Sequence, residues 1–199
     1  RVIFMEKDQT QAAVLSNLGP KYQIHSIDAY MGLTSARWEN YIRYMVGPDK
    51  FDKLVFGTVL QRFYGYFSRE LLRSVLNDPE ILEVASLRYI FEENKMLETE
   101  DPLPRAYAVG HYVSATTEEE SLSAIKEKKF SLRDSVVLEN AHPTFLAKTM
   151  KSDADSVQIL DYTPNEVVLS TDVRDPSIIV LTDAYYPGWE AFVDGSETA

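Results

Sequence analysis

Cysteine is absent from the 199 residues, which removes disulfide scaffolds and leaves redox compartment unmarked. With only 8 glycines and 9 prolines, collagen-like and low-complexity classes fall away too. Long apolar runs are also missing. The longest purely aliphatic stretch is Ile178 to Leu181, whereas a membrane helix needs ~20 apolar residues. Positive charge is scarce: 20 Lys and Arg against 31 Asp and Glu give a net charge of −11. Such a surface repels phosphate backbones, so no nucleic-acid partner is expected. No secretory leader pattern is present. What remains is 45% hydrophobic and 26% charged, enough to build a core and to exclude intrinsic disorder.

The ends of the chain carry a further expectation. It begins at Arg1 without an initiator Met and stops soon after Asp194-Gly195, a dipeptide that turns hairpins. Strands are predicted over 178–183 and 190–193, with no returning strand after the turn. A piece of a longer protein is therefore expected. The alternative is a strand that closes back onto 178–183.

Apolar spacing predicts a strand over 1–5 and a helical turn over 11–18, ended by Gly19-Pro20. The segment 22–27 reads as a strand or an ordered loop. Thr34 or Ser35 caps a helix through Trp38, Tyr41, Ile42 and Met45, stopped at Gly47-Pro48. A long aromatic helix is expected over 54–76, then a helix opened by Asp78-Pro79 and a strand over 87–91. Residues 92–104 are charged and proline-bearing and read as a connector.

Beyond that, strands are expected over 106–113, 136–138, 156–162, 167–171 and 178–183. Thr116-Thr117 followed by three glutamates predicts a helix start, with the helix running to about Lys128. The last three of these strands, at hairpin spacing, read as a meander. The fold class is α+β: a mixed α/β lobe (1–103) followed by a mainly antiparallel β lobe (104–199), together one unit.

Reactive motifs are sparse. His25, His111 and His142 lie on separate elements without metal-ligand spacing, so no metal site is expected. Asp153 and Asp155 lack an EF-hand pattern and read as a solvated turn. Neither a Gly-rich phosphate loop nor a GxSxG elbow occurs. No cofactor is expected. Two segments are denser in unusual residues, 17–30 and 183–189. In the second, Tyr185, Tyr186 and Trp189 flank Pro187-Gly188. Aromatics so placed stack on sugar rings, or plug the end of a β layer; packing is the plainer expectation.

Several stretches carry a resemblance. Leu103-Pro104-Arg105-Ala106-Tyr107-Ala108-Val109 looks like the Leu-Pro-Arg-Ala-Tyr strand of the bacterial YfhO-like membrane proteins. The stretch from Val180 through Asp183-Ala184-Tyr185-Tyr186-Pro187-Gly188-Trp189 to Gly195 is similar to that family's Tyr-Tyr-Pro-Gly-Trp hairpin. Leu87-Arg88-Tyr89-Ile90 matches its Asn-Val-Arg-Tyr-Ile segment. The chain departs from the pattern at Ala29, where relatives have Gly before Tyr30, and at Leu97-Glu98-Thr99 in a short connector.

The resemblance implies a soluble extracytoplasmic region of a multispanning cell-membrane protein related to polyprenyl-phosphate-sugar glycosyltransferases. The catalytic acid would lie in the missing membrane portion, so no residue here inherits a catalytic role. The partners implied are the transmembrane helices of the same polypeptide and a glycan or cell-envelope polymer. The expected binding residues are Arg37, Arg105, Asp183, Tyr185, Tyr186 and Trp189. Aromatic faces would stack on the glycan, and Asp183 and the arginines would supply directional hydrogen bonds.

Two other readings stand beside this one. An interaction module would use Phe56, Phe63, Tyr64, Tyr66 and Phe67 of the aromatic helix. A self-contained hydrolase would need His111 or His142 in reach of a Ser or Asp.

Overall fold

The computed structural model describes residues 2–5, 36–55, 77, 83–92, 95–127, 130–140, 155–163, 165–183, 185 and 187–198. The fold is α+β. Its described elements are β1 (Val2–Met5), α1 (Ala36–Val46), α2 (Pro48–Val55), β2 (Tyr89–Glu92), β3 (Lys95–Glu98), β4 (Ala106–Val109) and β5 (His111–Ala115). Then follow α3 (Glu118–Lys126), β6 (Ser135–Glu139), β7 (Ser156–Tyr162), β8 (Val167–Asp172), β9 (Ile178–Leu181), β10 (Ala191–Val193) and β11 (Ser196–Thr198). The predicted segments 11–18 and 22–27 lie outside the described residues, as does almost all of the aromatic helix, including its Phe and Tyr side chains.

Helix α1 buries one face. Tyr41, Ile42 and Met45, spaced as the helical period demands, join Phe51 of α2 in a core cluster. Gly47 separates the two helices. Its N–H donates to Arg43 O (3.0 Å) and its carbonyl accepts from Phe51 N (2.9 Å), so one residue ends α1 and starts α2. The Gly47-Pro48 stop is thus also a start, which moves the next helix from the expected residue 54 back to Pro48. Proline suits a first helical position because it has no N–H to leave orphaned. Arg43 reaches across the junction, donating to Asp52 (2.6 Å) and stacking 4.6 Å over the Phe51 ring.

Leu122 and Ile125 of α3 and Val84 pack on the same cluster, so its contacts cross residue 103. The ends of α3 follow from local chemistry. The Thr117 hydroxyl accepts from Glu120 N (3.2 Å). The Glu120 carboxylate accepts from Thr116 N (2.7 Å) and from the Thr116 hydroxyl (2.6 Å). Those bonds hold the Glu120 carboxyl below its usual range.

Strands pair in a less sequential order than the spacing suggests. β1 and β2 are parallel, and β3 returns antiparallel on β2, within the segment read as a connector. The expected strand over 106–113 divides at Gly110: β4 pairs antiparallel with β9, while β5 pairs parallel with β6 across α3. An isolated glycine in a strand pattern marks such breaks, and here the two halves take different partners. β7 and β8 form the expected hairpin. The meander ends there, because β9 joins β4 instead. β11 does return on β10, correcting the expectation of an unpaired strand. Its turn places Asp194 at φ +50° and Gly195 at +79°, both positive as a two-residue hairpin loop prefers.

A second cluster joins Leu103, Tyr107 and Val109 to Leu132, Val136, Ile178 and Val180. Tyr107 is 7% exposed. Burial, reinforced by the Glu83 charge and partly opposed by Arg133, pushes its phenol up to about 12. An unfolded tyrosine ionises near 10. Between these values the folded state holds the extra proton, so stability falls as pH rises. We expect stability to drop by about 2 kcal/mol between ~pH 10 and ~pH 12 through this group. Urea midpoints measured across that range for the wild type and Tyr107→Phe check it: the variant should lose that part of the slope. Equal slopes would contradict it.

Candidate functional site

The β4–β9 ladder brings together residues 78 apart in sequence. Its register pairs Ala106 with Leu181. One step further, Thr182 N donates to Arg105 O (3.0 Å), and the Thr182 hydroxyl donates to the same oxygen (3.2 Å). Arg105 and Asp183 therefore meet at the mouth of the ladder. Arg105 Nη2 donates to Asp183 Oδ1 (2.6 Å) and to the Tyr162 hydroxyl (2.6 Å). Tyr162 in turn donates to Asp183 Oδ2 (2.7 Å). The guanidinium also lies 4.4 Å from the Tyr162 ring centroid, within cation–π range.

This three-way knot is largely withdrawn from water, with the Arg105 and Asp183 side chains 18% and 15% exposed. Burial raises the Tyr162 phenol above its usual range; the bond to Asp183 and that residue's charge add to the shift, and Arg105 opposes it. Arg105 Nε is buried and has no hydrogen-bond partner among the described residues. Both Asp183 oxygens accept a bond, which anchors the chain as it leaves β9.

The aromatic segment starts from that anchor. Tyr185 is 63% exposed and Trp189 38%, on either side of Pro187-Gly188. Gly188 takes φ +103°, a conformation side-chain-bearing residues rarely adopt. Tyr186 lies outside the described residues. Arg37 sits apart from this group in the bonding pattern: on α1, it pairs with Glu139 of β6. Tyr162 carries no sequence motif, and only the fold brings it to Arg105 and Asp183.

Other chemistry is thin. His111 lies on β5, half-buried, its backbone N–H bonded to Asp134 O (3.2 Å); His25 and His142 lie outside the described residues. Among the described residues, no group of three or more His, Asp or Glu converges to hold a metal ion. Among them too, no helix is long and apolar enough to cross a membrane. Neither a protein-family model nor a curated protein nor a solved structure matches the chain.

Proposed function

We propose that the chain is a non-catalytic, soluble extracytoplasmic domain of a multispanning membrane protein resembling the YfhO-like, polyprenyl-phosphate-sugar-dependent glycosyltransferases, and that it positions an acceptor glycan on Tyr185 and Trp189. The observation carrying this reading is that both rings are exposed around a Pro-Gly bend whose base is tied down. A stacking platform needs apolar faces open to ligand and little freedom to lose on binding. Tyr185 and Trp189 supply the faces, and Asp183, held by Arg105 and Tyr162, supplies the restraint. The Leu-Pro-Arg-Ala-Tyr segment and the stretch from Val180 to Gly195 support the family reading, and they contribute Arg105 and Asp183, which bond each other.

Calorimetric titration with an uncharged oligosaccharide of N-acetylglucosamine tests the proposal. Such a probe presents apolar sugar faces and avoids the chain's net negative charge. Trp189→Ala should weaken binding about tenfold, the loss of one stacking contact of ~1.5 kcal/mol. Equal affinity in the variant, or no binding by the wild type, would refute it. A second reading, a docking face for the transmembrane helices of the same polypeptide or for a partner subunit, draws on Phe192 and Val193, which are exposed just beyond Trp189. That reading predicts no oligosaccharide binding and the loss of partner association in Phe192→Ser.

A further inference from the structure

Strand β7 changes phase before it reaches the knot. From Ser156 to Ile159 it pairs with β8 in even register, Ser156 opposite Asp172 and Ile159 opposite Leu169. Asp161 then opposes Val168 and Tyr162 opposes Val167, leaving Leu160 as an extra residue. That is a β-bulge, and one inserted residue exchanges the two faces of everything after it. Val157 and Tyr162 are half-buried although five residues apart, out of step with a simple alternation, whereas Ser156, Gln158, Leu160 and Asp161 are exposed and Ile159 is 37% exposed. Unbroken alternation would put Tyr162 on the outer face with Ser156 and Gln158.

We propose that the Leu160 bulge turns Tyr162 inward and thereby makes it the positioning residue of the aromatic segment, through its bonds to Asp183 and Arg105. Among the described residues the hairpin β7–β8 has no ladder to β9, yet Tyr162 ties its tip to the residue that follows β9. The bulge sets which face the phenol takes. The phenol then fixes Asp183, and Asp183 fixes the start of the stretch bearing Tyr185 and Trp189. The consequence for ligand binding rests on the glycan reading above; the consequence for order does not.

Two variants of the full chain test this without ligand: Tyr162→Phe, which keeps the ring and removes the hydroxyl, and deletion of Leu160. In Tyr162→Phe we expect the Thr182 amide to exchange about tenfold faster, as the loss of one charge-assisted bond implies. Backbone order at Tyr185 and Trp189, read by nitrogen relaxation, should fall, while the β7 and β8 amides stay unchanged. Unaltered exchange and order in Tyr162→Phe would overturn the proposal. Deletion of Leu160 removes the extra residue and keeps Tyr162 opposite Val167 on the inner face, so exchange and order there should match the wild type; loosening in the deletion would overturn the role given to the bulge. Oligosaccharide titration of the same proteins separates the two ideas. Loosening in Tyr162→Phe upholds the positioning role even where the wild type binds no glycan, a result that fails only the glycan reading.

Discussion

Phe51→Ala is expected to lower stability by about 3–5 kcal/mol, a fall in Tm of roughly 10 °C or more. Phe51 is 1% exposed and sits where α1 and α2 meet, against Tyr41, Ile42 and Met45. Truncation removes transfer free energy and leaves a cavity that a helix junction pinned by Gly47 and Pro48 closes poorly. It also strips Arg43 of its stacking surface. Because Leu122 and Ile125 of α3 pack on the same cluster, the loss should spread to the β5–β6 pair. Thermal melts followed by circular dichroism, with amide exchange on α3, check both parts. A Tm change under ~3 °C would mean the cluster is not the main core of this region.

Arg105→Ala should cost about 2–3 kcal/mol, or roughly 5–10 °C in Tm. Most of that cost comes from what it leaves behind. Asp183 would keep a charge in a site only 15% exposed, with Tyr162 as the one remaining partner of the knot. Removal of both charges should therefore be milder than the sum of the single losses. A cycle of Arg105→Ala, Asp183→Ala and the double variant should give a coupling of ~1–2 kcal/mol. Additive single effects would show that the pair contributes by packing alone. The aromatic segment gives a second readout, since Trp189 fluorescence should report greater mobility in Asp183→Ala than in Arg37→Ala, whose partner is Glu139.

The parts of this fold that could be read from sequence are those decided by neighbours along the chain. Helix α1 needs only the spacing of Tyr41, Ile42 and Met45. The start of α3 needs only Thr116, Thr117 and Glu120, and the β7–β8 hairpin only two strands about a short polar turn. Strand partners are another matter. Ile178–Leu181 is recognisably a strand, but its pairing with Ala106–Val109 is a long-range choice made by packing, and the nearby β8 was the expected partner. Strand β3, Lys-Met-Leu-Glu, has no alternation and is exposed throughout; its strand character comes from its ladder to β2.

The same division runs through the site. Arg105, Asp183, Tyr185 and Trp189 stood out as residues because of what surrounds them in sequence. That Arg105 and Asp183 bond each other follows from the β4–β9 register, which no local pattern reveals. Tyr162 is one of 12 tyrosines and carries no motif. One signal was available: the apolar positions of β7 run Val157, Ile159, then Leu160, Tyr162, a slip of one in an otherwise alternating strand. A phase slip of that kind marks a bulge and points to the residue beyond it. Arg37 was singled out for its guanidinium alone, and its bond to Glu139 shows how little charge type says about place.

The most direct measurement is a chemical-shift map of the nitrogen-labelled chain titrated with an N-acetylglucosamine oligosaccharide. The account predicts that the Trp189 indole and the Tyr185 backbone shift together and saturably, with smaller changes at Asp183 and Tyr162 and none on α1 or α2. Shifts absent from Trp189, or centred on another face of the molecule, would contradict it.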